Sequence, residues 1–152
     1  MRTPPGRSCH CSQKGATLLE ALIAILIFSL GILGLVALQA VSIKNVTDAG
    51  FRADAAFLAN QIISQMWADN PANLAAYAHR PNGGNCAPAG ANSGNGNVAT
   101  WLAAVNAALP GAISDRQQIQ VGAGNLITVT ICWQGPQDAQ PRSFVTSAQI
   151  NG

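Results

Sequence analysis

Residues 21–43 contain no formally charged side chain, and this segment constrains the fold more than any other part of the sequence. A helix of about 20 apolar residues spans the ~30 Å hydrocarbon core of a bilayer. Glu20 stands immediately before the segment and Lys44 immediately after it. A helix that is apolar on all sides needs lipid or protein around its whole circumference. The segment therefore predicts a membrane-spanning helix or a helix at the core of a filament.

A short basic leader precedes this segment and determines the sign of the net charge. Residues 1–15 contain three basic side chains and no acidic one. If they are removed, the formal net charge changes from +2 to −1. If cleavage removes these basic residues, a nucleic-acid-binding interpretation would rest on side chains that the working protein lacks, so the sequence does not predict nucleic-acid binding.

The leader and the apolar segment do not form an ordinary secretory signal peptide. Such a peptide has an apolar stretch of about 7–15 residues that is closed by a small-residue cleavage site. Here the apolar stretch is longer, and no such site follows it. We therefore expect the segment to be retained, with its basic leader on the cytoplasmic side.

The four cysteines fall into two pairs. Cys9 and Cys11 flank His10, but three potential ligands in three residues without a second cluster do not match a structural zinc site. No metal site is therefore predicted in this leader segment. Cys86 and Cys132 belong to a domain expected to face an oxidising compartment, and their even number favours a disulfide.

Residues 16–70 predict one long helix with an amphipathic second half. Asn70-Pro71 ends it, because proline disfavours the α conformation in the residue before it. Asp48 and Arg52 have the spacing of an i,i+4 ion pair on its exposed surface. Apolar side chains recur at intervals of three and four and predict a buried face: Phe51, Ala55, Leu58, Ile62 and Met66.

The C-terminal part predicts a small α+β head. Residues 71–97 are rich in proline, glycine and asparagine and predict a long loop, in which His79-Arg80 would be a solvated pair. A short helix is expected next, at Val98–Leu109. Strands are predicted at Gln117–Val121, Leu126–Trp133 and Ser143–Ile150, and the second of them should be half-buried because apolar and polar residues alternate. They would form a three-stranded antiparallel sheet over the second half of the long helix.

Thr17-Leu18-Leu19-Glu20 has two interpretations. It fits a capping box, in which Thr17 caps the first turn and Glu20 reaches back to the cap amide. Alternatively, cleavage between Gly15 and Ala16 would create an α-amine close to Glu20. Two opposite charges in an apolar setting can compensate each other. Pairing with the amine of a neighbouring subunit would then set the register of a fibre.

The segment Lys14–Glu20, the apolar helix and the helix-plus-sheet head together resemble a type IV prepilin. The stretch Phe28–Ala40 is most similar to the minor pilins called PilV. The resemblance implies a type IV pilin-like fold, no cofactor, and cleavage after Gly15 by a prepilin peptidase that also N-methylates the new first residue. Ala16 departs from the usual Phe or Met at that position. No proline lies between residues 16 and 70, where major pilins carry one that bends the helix.

The predicted organisation has three parts. Residues 1–15 are the cleaved leader, residues 16–43 the transmembrane or filament-core helix, and residues 44–152 a periplasmic head that includes the second half of the long helix. The resemblance implies a location in the bacterial inner membrane and then in the pilus. The partners it implies are other pilins and minor pilins, the prepilin peptidase, the inner-membrane assembly platform and the membrane itself.

These features predict a minor pilin that assists the initiation, assembly or modification of a type IV pilus. One alternative is a minor pseudopilin of a type II secretion system, and an alternative of another class is a membrane-tethered periplasmic binding domain. An enzyme is not predicted, because the head offers no acid–base pair, nucleophile triad or metal cluster. Its carboxylates are isolated in the sequence: Asp48, Asp54, Asp69, Asp115 and Asp138.

Overall fold

The computed structural model describes residues 16–150. The described chain divides into two compact units, one ending at Asn45 and one beginning at Val46. Helix α1 comprises Ala16–Ala68 and contributes to both. Its extent agrees with the predicted long helix to within two residues.

In the N-terminal unit, the apolar side chains of α1 are exposed throughout. Leu22, Phe28 and Leu38, for example, are each about two-thirds exposed. Within residues 16–150, α1 is the one helix that is long and apolar enough to cross a membrane, and its most apolar stretch has a mean hydropathy of 2.9. This unit therefore presents a hydrocarbon-like surface that water would hydrate at a large free-energy cost.

In the C-terminal unit, α1 contributes one face to the hydrophobic core. The predicted face is confirmed, since Ala55, Leu58, Ile62 and Met66 are buried and Phe51 packs against them partly buried. The core faces of the strands and Trp101 from the second helix complete this core. The structure thus confirms an α+β, type IV pilin-like fold in which a long helix packs against a small sheet.

The predicted long loop over residues 71–97 is wrong, because this segment contains regular structure. A 3₁₀ helix spans Pro71–Tyr77, and strands β1 (Asn82–Gly84) and β2 (Ala87–Ala89) form an antiparallel hairpin. The hairpin turn consists of Asn85 and Cys86, with φ angles of 53° and 61°. Positive φ at both central residues is the geometry of the tight turns that suit hairpins. Asn-Gly is the usual sequence there, so Asn-Cys gave no comparable signal.

The remaining elements lie close to their predicted positions. Helix α2 spans Gly96–Ala108, and the strands are β3 (Gln118–Val121), β4 (Leu126–Trp133) and β5 (Arg142–Gln149). The sheet has the order β3-β4-β5 and is antiparallel throughout.

Strand β4 is more buried than its alternating pattern predicts. The core-facing residues Ile127, Val129 and Ile131 are fully buried as expected, but Thr130 and Cys132 on the opposite face are buried too. The physical reason is the β1–β2 hairpin, which is linked to Cys132 by a disulfide and hydrogen-bonded to the side chain of Gln118, the residue opposite Thr130. The prediction of a half-buried strand is therefore wrong for the second half of β4.

Candidate functional site

The N-terminal end of α1 carries the residues singled out for processing and assembly. Gly15 lies outside the described residues. Ala16 is the first residue of α1, and Thr17 and Glu20 follow within it, both exposed. Cleavage after Gly15, the capping box and the pairing of Glu20 with an α-amine all stay predictions.

Glu20 is the single charged residue in the stretch 16–43. On a helix, residues four apart lie on the same face about 5–6 Å apart. Glu20 therefore shares a face with Ala16, and the side chains three positions away on that face, Thr17 and Ile23, are exposed. An α-amine created at Ala16 would lie on the same face of the helix as this carboxylate.

In the head, a disulfide joins Cys86 to Cys132. The Cα atoms are 5.6 Å apart, and the two residues are separated by 46 positions in the sequence. Cys86 lies in the tight turn of the β1–β2 hairpin and Cys132 in the central strand β4. The bond therefore attaches the hairpin to the most buried strand of the sheet.

Two buried glutamines hold the same region. The Gln117 side chain accepts a hydrogen bond from the backbone N–H of Cys132 at 2.8 Å and donates one to its carbonyl at 2.9 Å. The Gln118 side-chain amide donates to the carbonyl oxygens of Arg80 and Asn82, both at 3.0 Å. Because a buried amide without partners is costly, these bonds fix the hairpin segment against β3 and β4. Neither residue could be identified from the sequence, since the local pattern around a glutamine carries no signal of its long-range partner.

His79 is buried, so the predicted solvated His79-Arg80 pair is wrong. The backbone N–H of Ser93 donates to Nδ1 of His79 at 3.2 Å, and Nε2 lies 3.1 Å from the carbonyl of Ser114. This arrangement fits a neutral imidazole that accepts at Nδ1 and donates at Nε2. Arg80 forms an ion pair with Asp115. Both side chains thus tie loops together.

Arg142 at the start of β5 is the centre of an ion-pair group. It contacts Asp138 through two hydrogen bonds, at 2.8 and 2.9 Å, and Asp48 of α1 at 3.2 Å. Hydrogen bonding to Asp138 raises the pKa of Arg142 above its ordinary value. The predicted Asp48–Arg52 pair is wrong, because Asp48 pairs with Arg142. Asp48 therefore pairs with a residue of the sheet rather than with the residue four positions further along α1.

A second polar group lies at the C-terminal end of α1. The Tyr77 hydroxyl donates to Asp69 at 2.8 Å and accepts from the Asn97 amide at 2.9 Å. Hydrogen bonds from Asn73 and Tyr77 hold the pKa of the Asp69 carboxyl below its ordinary value. Burial, with a smaller contribution from Asp69, raises the pKa of Tyr77. These contacts connect α1 to the 3₁₀ helix and α2.

The polar side chains of the head therefore serve mainly to hold its loops. Within residues 16–150, no group of three His, Cys, Asp or Glu side chains is placed to bind a metal ion. The segment Cys9-His10-Cys11, which the sequence also argued against as a metal site, lies outside the described residues.

A family model, the prokaryotic N-terminal methylation motif, matches residues 11–36. The matched residues include Gly15, Ala16 and Glu20 and much of the uncharged part of α1. This prepilin-type motif supports a type IV prepilin-like protein, in the pilin or pseudopilin group, and implies processing by a prepilin peptidase and assembly with other pilins. No curated protein and no solved structure matches the chain.

Proposed function

We propose that this protein is a PilV-type minor pilin, which enters a type IV pilus at low copy and assists its initiation, assembly or modification. The observation that carries the proposal is the match of the methylation motif to residues 11–36, which run into an apolar helix with exposed side chains. A soluble protein would bury such a surface. A subunit that moves from a membrane into a fibre keeps it covered in both places.

Glu20 supports the same proposal. A lone carboxylate at the edge of an apolar span is a functional-site candidate, because placing it in lipid is costly. In a fibre, the amine of a neighbouring Ala16 would offset that cost. Pairing of the Glu20 carboxylate with this amine would thus determine the position of the mature chain along the fibre.

The head supports a structural role rather than catalysis. Its carboxylates Asp48, Asp69, Asp115 and Asp138 are engaged in ion pairs or hydrogen bonds. The C-terminal half of α1 also leaves Phe57 68% and Trp67 50% exposed. Large exposed aromatic side chains are typical of surfaces that contact other proteins.

The test is a substitution at the proposed cleavage site. Gly15→Val adds a branched side chain where a peptidase must approach the backbone closely. We expect the variant to keep its leader, remain in the membrane and be lost from sheared pili. Gly6→Val is the matched control, since it alters another leader glycine and should be processed normally. Normal processing and pilus incorporation of Gly15→Val would contradict the proposal.

Recovery of the protein in sheared pili, together with the effect of deleting it, distinguishes a pilus subunit from a pseudopilin. If the processed protein is absent from pili, and its deletion blocks the export of folded proteins through a secretion channel, the pilus proposal is wrong. Recovery of the protein in sheared pili supports the pilus proposal.

A further inference from the structure

Strand β5 forms an open edge of the sheet. All eight of its residues pair with β4 in one unbroken register, from Leu126 opposite Gln149 to Trp133 opposite Arg142. No strand within residues 16–150 pairs with its other side. The opposite edge of the sheet differs, because His79 exchanges two backbone hydrogen bonds with Ile119 of β3.

The hydrogen-bond register determines which residues of β5 face outward. The N–H of Ile150 donates to the carbonyl of Asn125, so even-numbered residues of β5 direct their backbone groups toward β4. The N–H and C=O groups of the odd-numbered residues therefore point away from the sheet: Ser143, Val145, Ser147 and Gln149. The side chains of these residues are also exposed.

After Arg142, the edge lacks the features that normally prevent strand pairing. Exposed edges are usually protected by charged side chains, prolines or bulges. Residues 143–149 contain no charge and no proline, and their pairing with β4 contains no bulge. On the core face, Phe144, Thr146 and Ala148 are only half-buried. Both the backbone and the apolar flank of β5 thus have room for another strand.

We propose that β5 pairs in antiparallel fashion with β5 of a second copy of this chain, with Thr146 opposite Thr146 of the second copy. Ser143 then lies opposite Gln149, and Val145 opposite Ser147. All four outward-facing residues exchange backbone hydrogen bonds in this register.

The side chains fit the same register. Phe144 lies opposite Ala148 on the core face, so a large side chain meets a small one on each side of the central threonine pair. Cross-strand pairs of this kind stabilise a sheet, and threonine pairs can hydrogen-bond. Because residues 143–149 are uncharged, no like charges oppose each other between the two strands.

Neighbouring registers fit less well. Centring the pairing on Val145 leaves Gln149 without a backbone partner in β5, and centring it on Ser147 does the same to Ser143. The register centred on Thr146 is therefore the one that uses the whole edge. A two-strand contact buries little area, so we expect it to be weak in dilute solution and to form when two copies are held in the same membrane.

The test is disulfide cross-linking of the full chain in membranes. In the proposed register, residue 146 and its counterpart form a non-hydrogen-bonded pair with Cα atoms about 4.5 Å apart. This separation permits a disulfide, so Thr146→Cys should give a covalent homodimer under mild oxidation. Ser147→Cys is the matched control. Its two copies are offset by two residues along the strands, beyond the ~7 Å limit for a bridge, and we expect at least tenfold less dimer.

A second substitution tests whether the edge itself is used. Proline is tolerated on an edge strand where the N–H faces outward, so Ser147→Pro should leave the β4–β5 pairing intact. Added to Thr146→Cys, it should reduce cross-linking at least tenfold. Equal cross-linking of Thr146→Cys and Ser147→Cys, persistence of the dimer with Ser147→Pro, or cross-linking only to a different protein would each overturn the proposal.

Gel electrophoresis of the same cross-linked samples also shows whether the leader has been removed. A chain that cross-links but keeps its leader would support the edge pairing while contradicting the proposed maturation. A processed chain that does not cross-link would support the proposed maturation while contradicting the edge pairing.

Discussion

The side chain of Gln117 forms two hydrogen bonds with the backbone of Cys132, one in each direction, at 2.8 and 2.9 Å. Gln117 is fully buried and lies next to β3, whereas Cys132 belongs to β4 and carries the disulfide. The glutamine thus pairs with the backbone of β4 as another strand residue would. This contact and the covalent bond act on the same residue of the sheet.

We expect Gln117→Ala to destabilise the head. The substitution leaves the buried N–H and C=O of Cys132 without these partners, and each unsatisfied group costs about 1–3 kcal/mol. Denaturant unfolding of the full chain in detergent, followed by tryptophan fluorescence, measures the effect. Gln149→Ala is the control, because its side-chain bond to Gly124 is exposed and should contribute little. Equal stability of the two variants would contradict this role for Gln117.

Removing the disulfide should destabilise the head further. A cross-link between residues separated by 46 positions lowers the conformational entropy of the unfolded chain. On these grounds it should raise the free energy of unfolding by roughly 4 kcal/mol. The double variant Cys86→Ala, Cys132→Ala should therefore unfold at clearly lower denaturant concentration. Thiol labelling of the unfolded parent chain is the direct check. Free thiols at both positions in protein from an oxidising compartment would show that the bond does not form.

The Asp69–Tyr77 contact predicts a dependence of stability on pH. The pKa of Asp69 is lowered in the folded protein, so its contribution is fully present above the ordinary value of 3.8 and is lost as the pH falls through the folded value. Tyr77→Phe removes one of the hydrogen bonds and should reduce the loss of stability on acidification. Unfolding curves between pH 2 and pH 6 measure the difference, with Asp54→Asn as the control. Identical acid sensitivity of the parent and Tyr77→Phe would refute this assignment.

Local patterns in the sequence were sufficient to predict the main elements of the fold. The three- and four-residue spacing from Ala55 to Met66 predicted the buried face of α1. The bounds of β4 followed from its alternation of apolar and polar residues between turn residues. These signals depend on neighbours along the chain, which the sequence displays directly.

The errors arose where distant residues decide the outcome. The buried His79 is hydrogen-bonded to the backbone of Ser93 and Ser114, which lie far from it in the sequence. Asp48 pairs with Arg142 of β5 rather than with Arg52, four positions further along α1. The Asn85-Cys86 turn is stabilised by a bond to a strand far along the chain, so its own residues did not identify it. For the candidate site, the motif at the start of α1 was visible in the sequence, whereas the contacts that hold the head were not.

The two possible roles of Glu20, charge pairing and helix capping, can be tested separately. A capping box accepts either Glu or Gln at this position, whereas pairing with an α-amine requires the negative charge. Glu20→Gln should therefore keep any capping contribution but reduce incorporation into pili as strongly as Glu20→Ala, because it leaves an amine unpaired in an apolar setting. The measurement is the amount in sheared pili at matched membrane abundance. If Glu20→Gln is incorporated as well as the parent chain, the charge pairing is not required.

The residue at which the mature chain begins tests the proposed maturation and function most directly. Mass spectrometry of the N-terminal peptide from purified pili measures this position and the modification of the first residue together. We predict a chain that starts at Ala16, with residues 1–15 absent. Detection in pili of protein that still begins with Met1 or Arg2, or complete absence of the protein from pili in a piliated strain, would contradict the account.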